Sequence, residues 1–592
     1  MSKILKEWVH KFNHPFIYYV FLCFYFCWPL LKTGNKLGIE DWDQQLFYYG
    51  AVLKSVFEFH EFPFWNPWYC GGNVLWQNPQ VALLSPVYLF AVFFSLPLAM
   101  KLNIMVHYYV GLLGMHFLLT RVFKISFLPL IFFLSSLVIF GGTHALHLAT
   151  GHSTFLPFFY VPFILFLFFS SLLKHRLRPC ILAGVLGSLV IYNAGIHIII
   201  MLFFSLGIFC GLSGTLQRTL HPIKTLCMFV FFTLAFSAPK LLPAQMFLSS
   251  PFMEDTRTLV EAKDVIPGFG VRVYLDPFLK YYDKPFPSTY LWREYGNFIG
   301  SFGYILIMMS LIWVFSRNHL KREDRWLGVS LSFTSLILYG VSLGDLGFLA
   351  PFSLLKWIPF FAKLRCCGRY TIFFVPFAVL TSAWVLIGIW KHLGKKAQVF
   401  DKPLQRFLSV LLILLSLELV MYNRKHFQDI FTIDLPAAAE KISSIVDYKI
   451  DATTDPYGPG SPMYKDLLQN KNILSCYEPL QLQHRFLSGK NLVFSTPENT
   501  TLSYELTPNT LMVKGNLQAG ERIFFNQNNM SGWSSDGLAL TRDSDSGLLY
   551  VEAEKPGEQT FRFSFFPSGL LLGLLIFLIS GSGAIFFWRR DR

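Results

Sequence analysis

Along this chain, apolar runs long enough to cross a bilayer alternate with short basic connections, and one long polar stretch interrupts them near the C-terminal end. A crossing helix needs about 20 apolar residues. Spans are therefore expected over 15–32, 103–120, 127–142, 154–173, 222–237, 298–316, 326–343, 370–390, 404–421 and 568–588. The apolar run 180–212 is too long for one crossing, and Tyr192-Asn193-Ala194-Gly195 divides it. That brings the bundle to about twelve helices. Residues 81–98 are apolar but contain Pro86 and Pro97, and read as an interfacial or re-entrant helix. From about 422 the pattern changes to period-2 alternation between Gly, Asn and Asp turns, as in Thr510-Leu511-Met512-Val513-Lys514, which predicts a β-rich, sandwich-like unit.

Charge orients these elements. Lys3, Lys6 and Lys11 precede the first span, and Lys174-His175-Arg176-Leu177-Arg178 and Arg589, Arg590 and Arg592 fall between or after later ones. Basic residues mark cytoplasmic connections. Both termini are then expected inside and the loops 33–102, 142–153, 238–297 and 344–369 outside. The first span lacks a cleavage site and reads as a retained anchor. The organisation expected is a membrane all-α module over 1–421, an extracytoplasmic β-rich domain over 422–566, and a last helix with a basic tail over 567–592.

Composition narrows this picture. With 53% hydrophobic and 15% charged residues, the chain is a polytopic membrane protein in the lipid bilayer. Its net charge of +14 sits mostly in the inner connections, so topology accounts for it and nucleic acid is excluded as a partner. Nine cysteines are scattered without a CxxC pair, and the vicinal Cys366-Cys367 reads as unbridged.

The chemistry gathers in the outer loops. Glu40, Asp41 and Asp43 open the first one, just beyond the membrane. A carboxylate there can act as a general base or, as Asp41 with Asp43, ligate a divalent cation such as Mg or Mn; the plainer reading is a solvated acidic turn. His147 and His152, with His144, share the second loop and suit acid/base work or phosphate contact. His197 lies beside the break between two spans, where irregular backbone lines cavities. Arg365 and Arg369, with Lys363, are outer cations just above a span, against the usual charge bias. A phosphate partner explains them, as does pairing with outer carboxylates. Lys240 is a further candidate for the same contact.

These features together resemble the GT-C superfamily of integral-membrane glycosyltransferases, and specifically its YfhO-type proteins. The resemblance runs through Pro63-Phe64-Trp65-Asn66-Pro67, Gly71-Gly72, Asn78-Pro79-Gln80, Gly151-His152, Gly195-Ile196-His197 and Phe360–Tyr370. It continues in Tyr477-Glu478-Pro479 and in Gly532–Gly537. It implies transfer of a sugar from a polyprenyl-phosphate donor to a cell-envelope glycan, polymer or protein at the outer face of the cytoplasmic (inner) membrane, by inversion. Asp41 or Asp43 would be the base, and Arg365 and Arg369 would hold the donor phosphate. Trp65, Asn66, Asn78 and Trp533 are candidate contacts for the acceptor sugar. His stands where many relatives carry a carboxylate, so the resemblance leaves metal dependence open. Two other classes stay in view: a flippase for lipid-linked sugars, and a non-catalytic envelope assembly protein.

Overall fold

A computed structural model describes residues 3–249, 270–279, 292–315, 325–358, 361, 366–396, 402–434, 449–451, 463–473, 491–496 and 500–590. Lys363, Arg365 and Tyr477-Glu478-Pro479 lie outside the described residues.

The membrane module is helical. Eight described helices are long and apolar enough to cross a bilayer: Leu96–Val122, Leu128–Ala149, Ser153–Lys174, Ile196–Gln217, His221–Leu248, Cys367–Trp390, Lys402–Phe427 and Leu570–Arg590. Shorter apolar helices cover Pro15–Leu31, Leu177–Tyr192 and Ser301–Trp313. The break at Asn193-Ala194-Gly195 separates Leu177–Tyr192 from Ile196–Gln217. Residues 81–98 hold only the short helix Val87–Ala91 before the long helix Leu96–Phe117 begins. Pro97 starts that helix instead of interrupting it, because a proline in the first turn forfeits no helical hydrogen bond. The segment expected as a loop over 142–153 is likewise more ordered than expected, its first part continuing the apolar stretch Leu128–Ala149. Gly142–Ala149 is a helix buried along its whole length, and a 3₁₀ turn, Ser153–Tyr160, follows it.

The first loop is a folded body. Its helix Trp42–Leu53 is almost wholly buried, and the two-stranded hairpin Trp65–Asn66 with Asn73–Val74 lies further along the loop. Trp42, Trp65 and Trp68 have no exposed surface. Two buried lysines tie the loop to the bundle. Lys101 Nζ donates to Thr33 Oγ1 and to the Gly34 and Lys36 carbonyls, and Lys240 Nζ donates to the Trp76, Asn78 and Val81 carbonyls. Multiple carbonyl partners are what a buried ammonium requires.

The C-terminal unit is a sandwich of two antiparallel four-stranded sheets, inserted between Lys402–Asn423 and Leu570–Arg590. One sheet runs Thr541–Arg542, Leu549–Glu552, Arg522–Phe525, Val493–Thr496. The other runs Trp533–Ser535, Gly557–Phe565, Thr510–Leu517, Leu502–Leu506. The alternation along Thr510–Leu517 and Gly557–Phe565 buries Leu511 and Val513 opposite Phe563 and Phe561. Phe525 of one sheet meets Trp533 and Phe563 of the other, with ring centroids 4.9 and 5.8 Å apart.

The sandwich docks on the first loop. Asn528 Nδ2 donates to the Cys70 and Gly72 carbonyls, and Trp65 Nε1 donates to Gln527 Oε1 at 2.6 Å.

Candidate active site

Four separated segments meet at one end of the bundle: the turn before Trp42–Leu53, the end of Gly142–Ala149 with His152, the turn Trp292–Glu294, and Cys367–Tyr370. Two glycines allow the approach. A Cβ on Gly151, whose φ is +87°, would stand 2.3 Å from Trp42 N and 2.5 Å from Asp41 C. One on Gly368 would stand 2.4 Å from the Tyr295 ring and 2.9 Å from the Glu294 carbonyl. Trp42 Nε1 fastens the first contact by donating to the Leu148 carbonyl at 2.8 Å.

Asp41 occupies the N-cap of its helix, yet its side chain makes no capping hydrogen bond. Instead its Oδ2 lies 3.3 Å from His152 Nε2, with the carboxylate about a quarter exposed. His152 Nδ1 in turn meets His147 Nδ1 at 3.0 Å, so one ring donates and the other accepts. An N–H on His152 Nε2 facing Asp41 leaves Nδ1 to accept from His147, and His147 Nε2 is then a bare acceptor. That atom is buried and has no hydrogen-bond partner among the described residues. Both nitrogens of His152 are engaged, and Asp41 is the more open group of this pair.

Glu294 completes the cluster. It is 12% exposed and grips Arg369 through both oxygens, Nε to Oε2 at 3.0 Å and Nη2 to Oε1 at 3.1 Å. It also lies 3.9 Å from each of His147 and His152. Burial opposes its charge, but the Arg369 guanidinium and the two imidazoles outweigh burial and hold its carboxyl well below the usual carboxylate range. Phe155 forms the apolar floor. His147 stacks on it at 3.9 Å, His197 tilts against it at 4.5 Å, and the Arg369 guanidinium covers it at 5.5 Å.

Of the candidates named from sequence, the structure brings Asp41, His147, His152, His197 and Arg369 together, and it adds Glu294 to them. A signal existed: Glu294 is a carboxylate just ahead of one apolar helix, as Arg369 is a guanidinium just ahead of another.

The other candidates sit elsewhere. Asp43, two residues from Asp41, faces the opposite way: its carboxylate accepts from Met463 N at 2.9 Å and Tyr464 N at 3.1 Å. These are the first residues of the helix Met463–Leu468, whose N-terminus attracts an anion. Glu40, at φ +56°, pairs with Arg293, Nη1 to Oε1 being 2.6 Å. Lys240 spends its ammonium on backbone carbonyls of the first loop in place of a phosphate.

The candidate sugar contacts are packed rather than open. Trp65 is fully buried against Phe565 at 4.7 Å and Trp533 at 5.1 Å. Asn66 Oδ1 accepts from Trp68 N, and Asn78 Oδ1 accepts from Gln80 N.

Expected metal ligation also moves. The ligand atoms of His147, His152 and Glu294 lie within 4.8 Å of one another, whereas Asp43 is turned away from Asp41's partners. Two imidazole nitrogens each about 2.1 Å from a common cation at a right angle stand about 3 Å apart, close to the spacing here. Two imidazoles and a carboxylate suit a transition metal better than Mg, which prefers oxygen.

No known protein-family model matches the chain, and no curated protein does. Among solved structures it is similar to an oligosaccharyltransferase of Archaeoglobus fulgidus tethered with an acceptor peptide containing the NVT sequon. Identity there is 12%, over 78% of this chain and 64% of that one, with a TM-score of 0.42. It is similar also to the archaeal oligosaccharyltransferase AglB from Archaeoglobus fulgidus in complex with an inhibitory peptide and a dolichol-phosphate. Identity there is 11%, over 79% and 65% of the two chains, with a TM-score of 0.41. The chain therefore spans less than two thirds of either structure's length. Residue roles rest on the geometry of this chain.

Proposed function

We propose that this protein is a membrane glycosyltransferase of GT-C type, resembling YfhO-type proteins. It moves a sugar from a polyprenyl-phosphate donor to a cell-envelope glycan, polymer or protein at the outer face of the cytoplasmic membrane. One observation carries the reading: a carboxylate held by an imidazole, Asp41 on His152, lies in one contact chain with a membrane-proximal guanidinium, Arg369, through Glu294.

In the reaction, an acceptor hydroxyl attacks the anomeric carbon while Asp41 takes its proton. The bond from that carbon to the phosphate oxygen breaks, and Arg369 stabilises the polyprenyl phosphate that leaves. His152 orients Asp41, and Glu294 orients Arg369. A divalent cation at His147, His152 and Glu294 would supply further positive charge beside the leaving phosphate when bound. We assign Asp43 and Lys240 to the scaffold.

Two features support the outer placement. Cys70 of the first loop is disulfide-bonded, as an oxidising compartment allows, and the basic residues cluster at the opposite ends of the helices. Both termini then face the cytoplasm.

The test is sugar transfer from polyprenyl-phosphate donors in membranes carrying the wild type or Asp41→Asn. Transfer by the wild type and its loss in an equally folded Asp41→Asn is expected. Full activity in Asp41→Asn would remove Asp41 as base. An inert wild type on every donor would favour a flippase.

A further inference from the structure

One acid belongs neither to the site nor to the scaffold. Glu418 is the only carboxylate within the described membrane helices, and it has no hydrogen-bond or ion-pair partner among the described residues. Its helix, Lys402–Phe427, stands at the rim of the bundle. Only 22% of its apolar stretch is buried, against 78% for Leu128–Ala149, the helix it packs on. Leu412, Ser416, Leu419, Val420 and Asn423 form the buried face. Phe407, Val410, Leu414, Glu418 and Met421 are exposed and recur at three- and four-residue steps, so they make one stripe on the opposite side.

Glu418 lies deep in that stripe. Arg406 and Arg424 bracket the apolar stretch. They stand about 27 Å apart by helical rise, close to the thickness of a hydrocarbon core. Glu418 is then about 9 Å below the level of Arg424 and about 5 Å from the midplane. Its side chain does not reach back to the nearer surface. Helical side chains lean toward the N-terminus, which here is the far end, beyond Arg406. The carboxyl is therefore aimed deeper, where acyl chains offer no hydrogen bond. An acid facing hydrocarbon is costly until a polar partner meets it.

We propose that this stripe is the contact between two copies of the chain, each Glu418 carboxyl hydrogen-bonded to the other. A two-fold axis along the membrane normal sets identical residues at identical depth, so the one polar group of the stripe meets its own copy. The pair shares a proton, one carboxyl donating to the other, which avoids two facing negative charges. Around it Phe407, Val410, Leu414 and Met421 repeat at the spacing of membrane helices that cross at a shallow angle, and interleave with their copies. The contact needs these helices to lie in a bilayer and owes nothing to the transferase reading.

The test uses the full chain in membranes, carried in two distinguishable labels. Self-association is read by energy transfer, and its surface by a photoreactive residue in place of Leu414. The wild type is expected to pair, with position 414 crosslinked to Lys402–Phe427 of a second copy. Glu418→Gln keeps a group that donates and accepts, and should hold association within about twofold. Glu418→Leu should weaken it by roughly threefold to thirtyfold, the worth of an interhelical hydrogen bond. Leu578→Trp, on the exposed side of the other uncovered helix, Leu570–Arg590, should change nothing. In nanodiscs that hold one chain, Glu418→Leu should melt no lower than the wild type, because leucine suits lipid.

A wild type that stays monomeric overturns the inference, as does pairing that maps to another helix or survives Glu418→Leu unchanged. Crosslinking from position 414 to a different protein, with none to a second copy, overturns it in favour of a heteromeric contact. A lower melting temperature for single-chain Glu418→Leu also overturns it, by giving the acid a role in its own chain.

Discussion

Asp41 and Asp43 stand two residues apart and serve two different regions. Asp41 turns toward the bundle and meets His152, leading on to Glu294 and Arg369. Asp43 turns toward the C-terminal unit and receives two backbone N–H groups at the start of Met463–Leu468. The first carboxylate keeps about a quarter of its surface exposed, and the second is 5% exposed with both oxygens engaged. An acid with an open face can exchange a proton with substrate; an acid fully engaged by backbone donors can only hold structure. Partner geometry separates the roles where residue type does not.

The strongest way to break this comparison is to neutralise each acid in turn. Asp41→Asn is expected to lower transfer by about 10²-fold or more, with a melting temperature unchanged. Asp43→Asn should leave the chemistry in place but destabilise the docked domain by roughly 1–3 kcal/mol, read by thermal unfolding or by proteolysis of the C-terminal unit. Loss of transfer in Asp43→Asn at unchanged stability would show the roles misassigned.

Gly151→Ala comes next. Its methyl would press on the Asp41–Trp42 peptide, so the chain must part there. An Asp41 displaced by about 1 Å should cost about 10² in transfer, and the strained φ should cost stability as well. If transfer survives, His152 does not need to sit against Asp41.

Glu294→Gln sharpens the comparison through pH. The variant takes the bidentate carboxylate away from Arg369. Because that side chain is 34% exposed, the expected loss is about 2 kcal/mol, below the cost for a fully buried pair. The folded pKa of Glu294 lies below its unfolded value near 4.3, so its contribution is complete above that value. It is lost only as pH falls through the depressed folded value. The stability gap between wild type and variant should stay constant from pH 8 down to about pH 5 and close only in stronger acid. A gap that closes near neutrality would assign the pairing to a histidine.

Gln527→Ala should have the smallest effect, about 1 kcal/mol, by removing the acceptor of Trp65 Nε1 at the docking face while leaving transfer intact. Limited proteolysis would read it.

Much of the fold is legible because hydrophobic period and length are local properties. The polytopic bundle, the break at Asn193-Ala194-Gly195 and the β-sandwich before the last helix follow from apolar runs and period-2 alternation. Pro97 is the instructive miss: a proline reads as a breaker in a window of sequence, but its effect depends on whether it falls in a first turn. The candidate site is partly legible. Asp41, His147, His152 and Arg369 stand out as polar residues beside apolar spans, and Gly151-His152 marks a close approach without naming the surface approached.

What the chain by itself determined is the inventory: which segments are long and apolar enough to cross a membrane, which unit folds as β-structure, and which few residues beside the apolar helices carry charge or imidazole. These follow from composition and period, which each segment expresses alone. Only the tertiary structure decided how the inventory was shared out. It sent Asp41 to His152 and Asp43 to a helix N-terminus, gave Lys240 to three carbonyls, and drew Glu294 onto Arg369. The reason is physical: a buried polar group must find partners where the packed backbone leaves them. Those partners come from segments far apart in the chain, brought together by packing that local sequence does not encode.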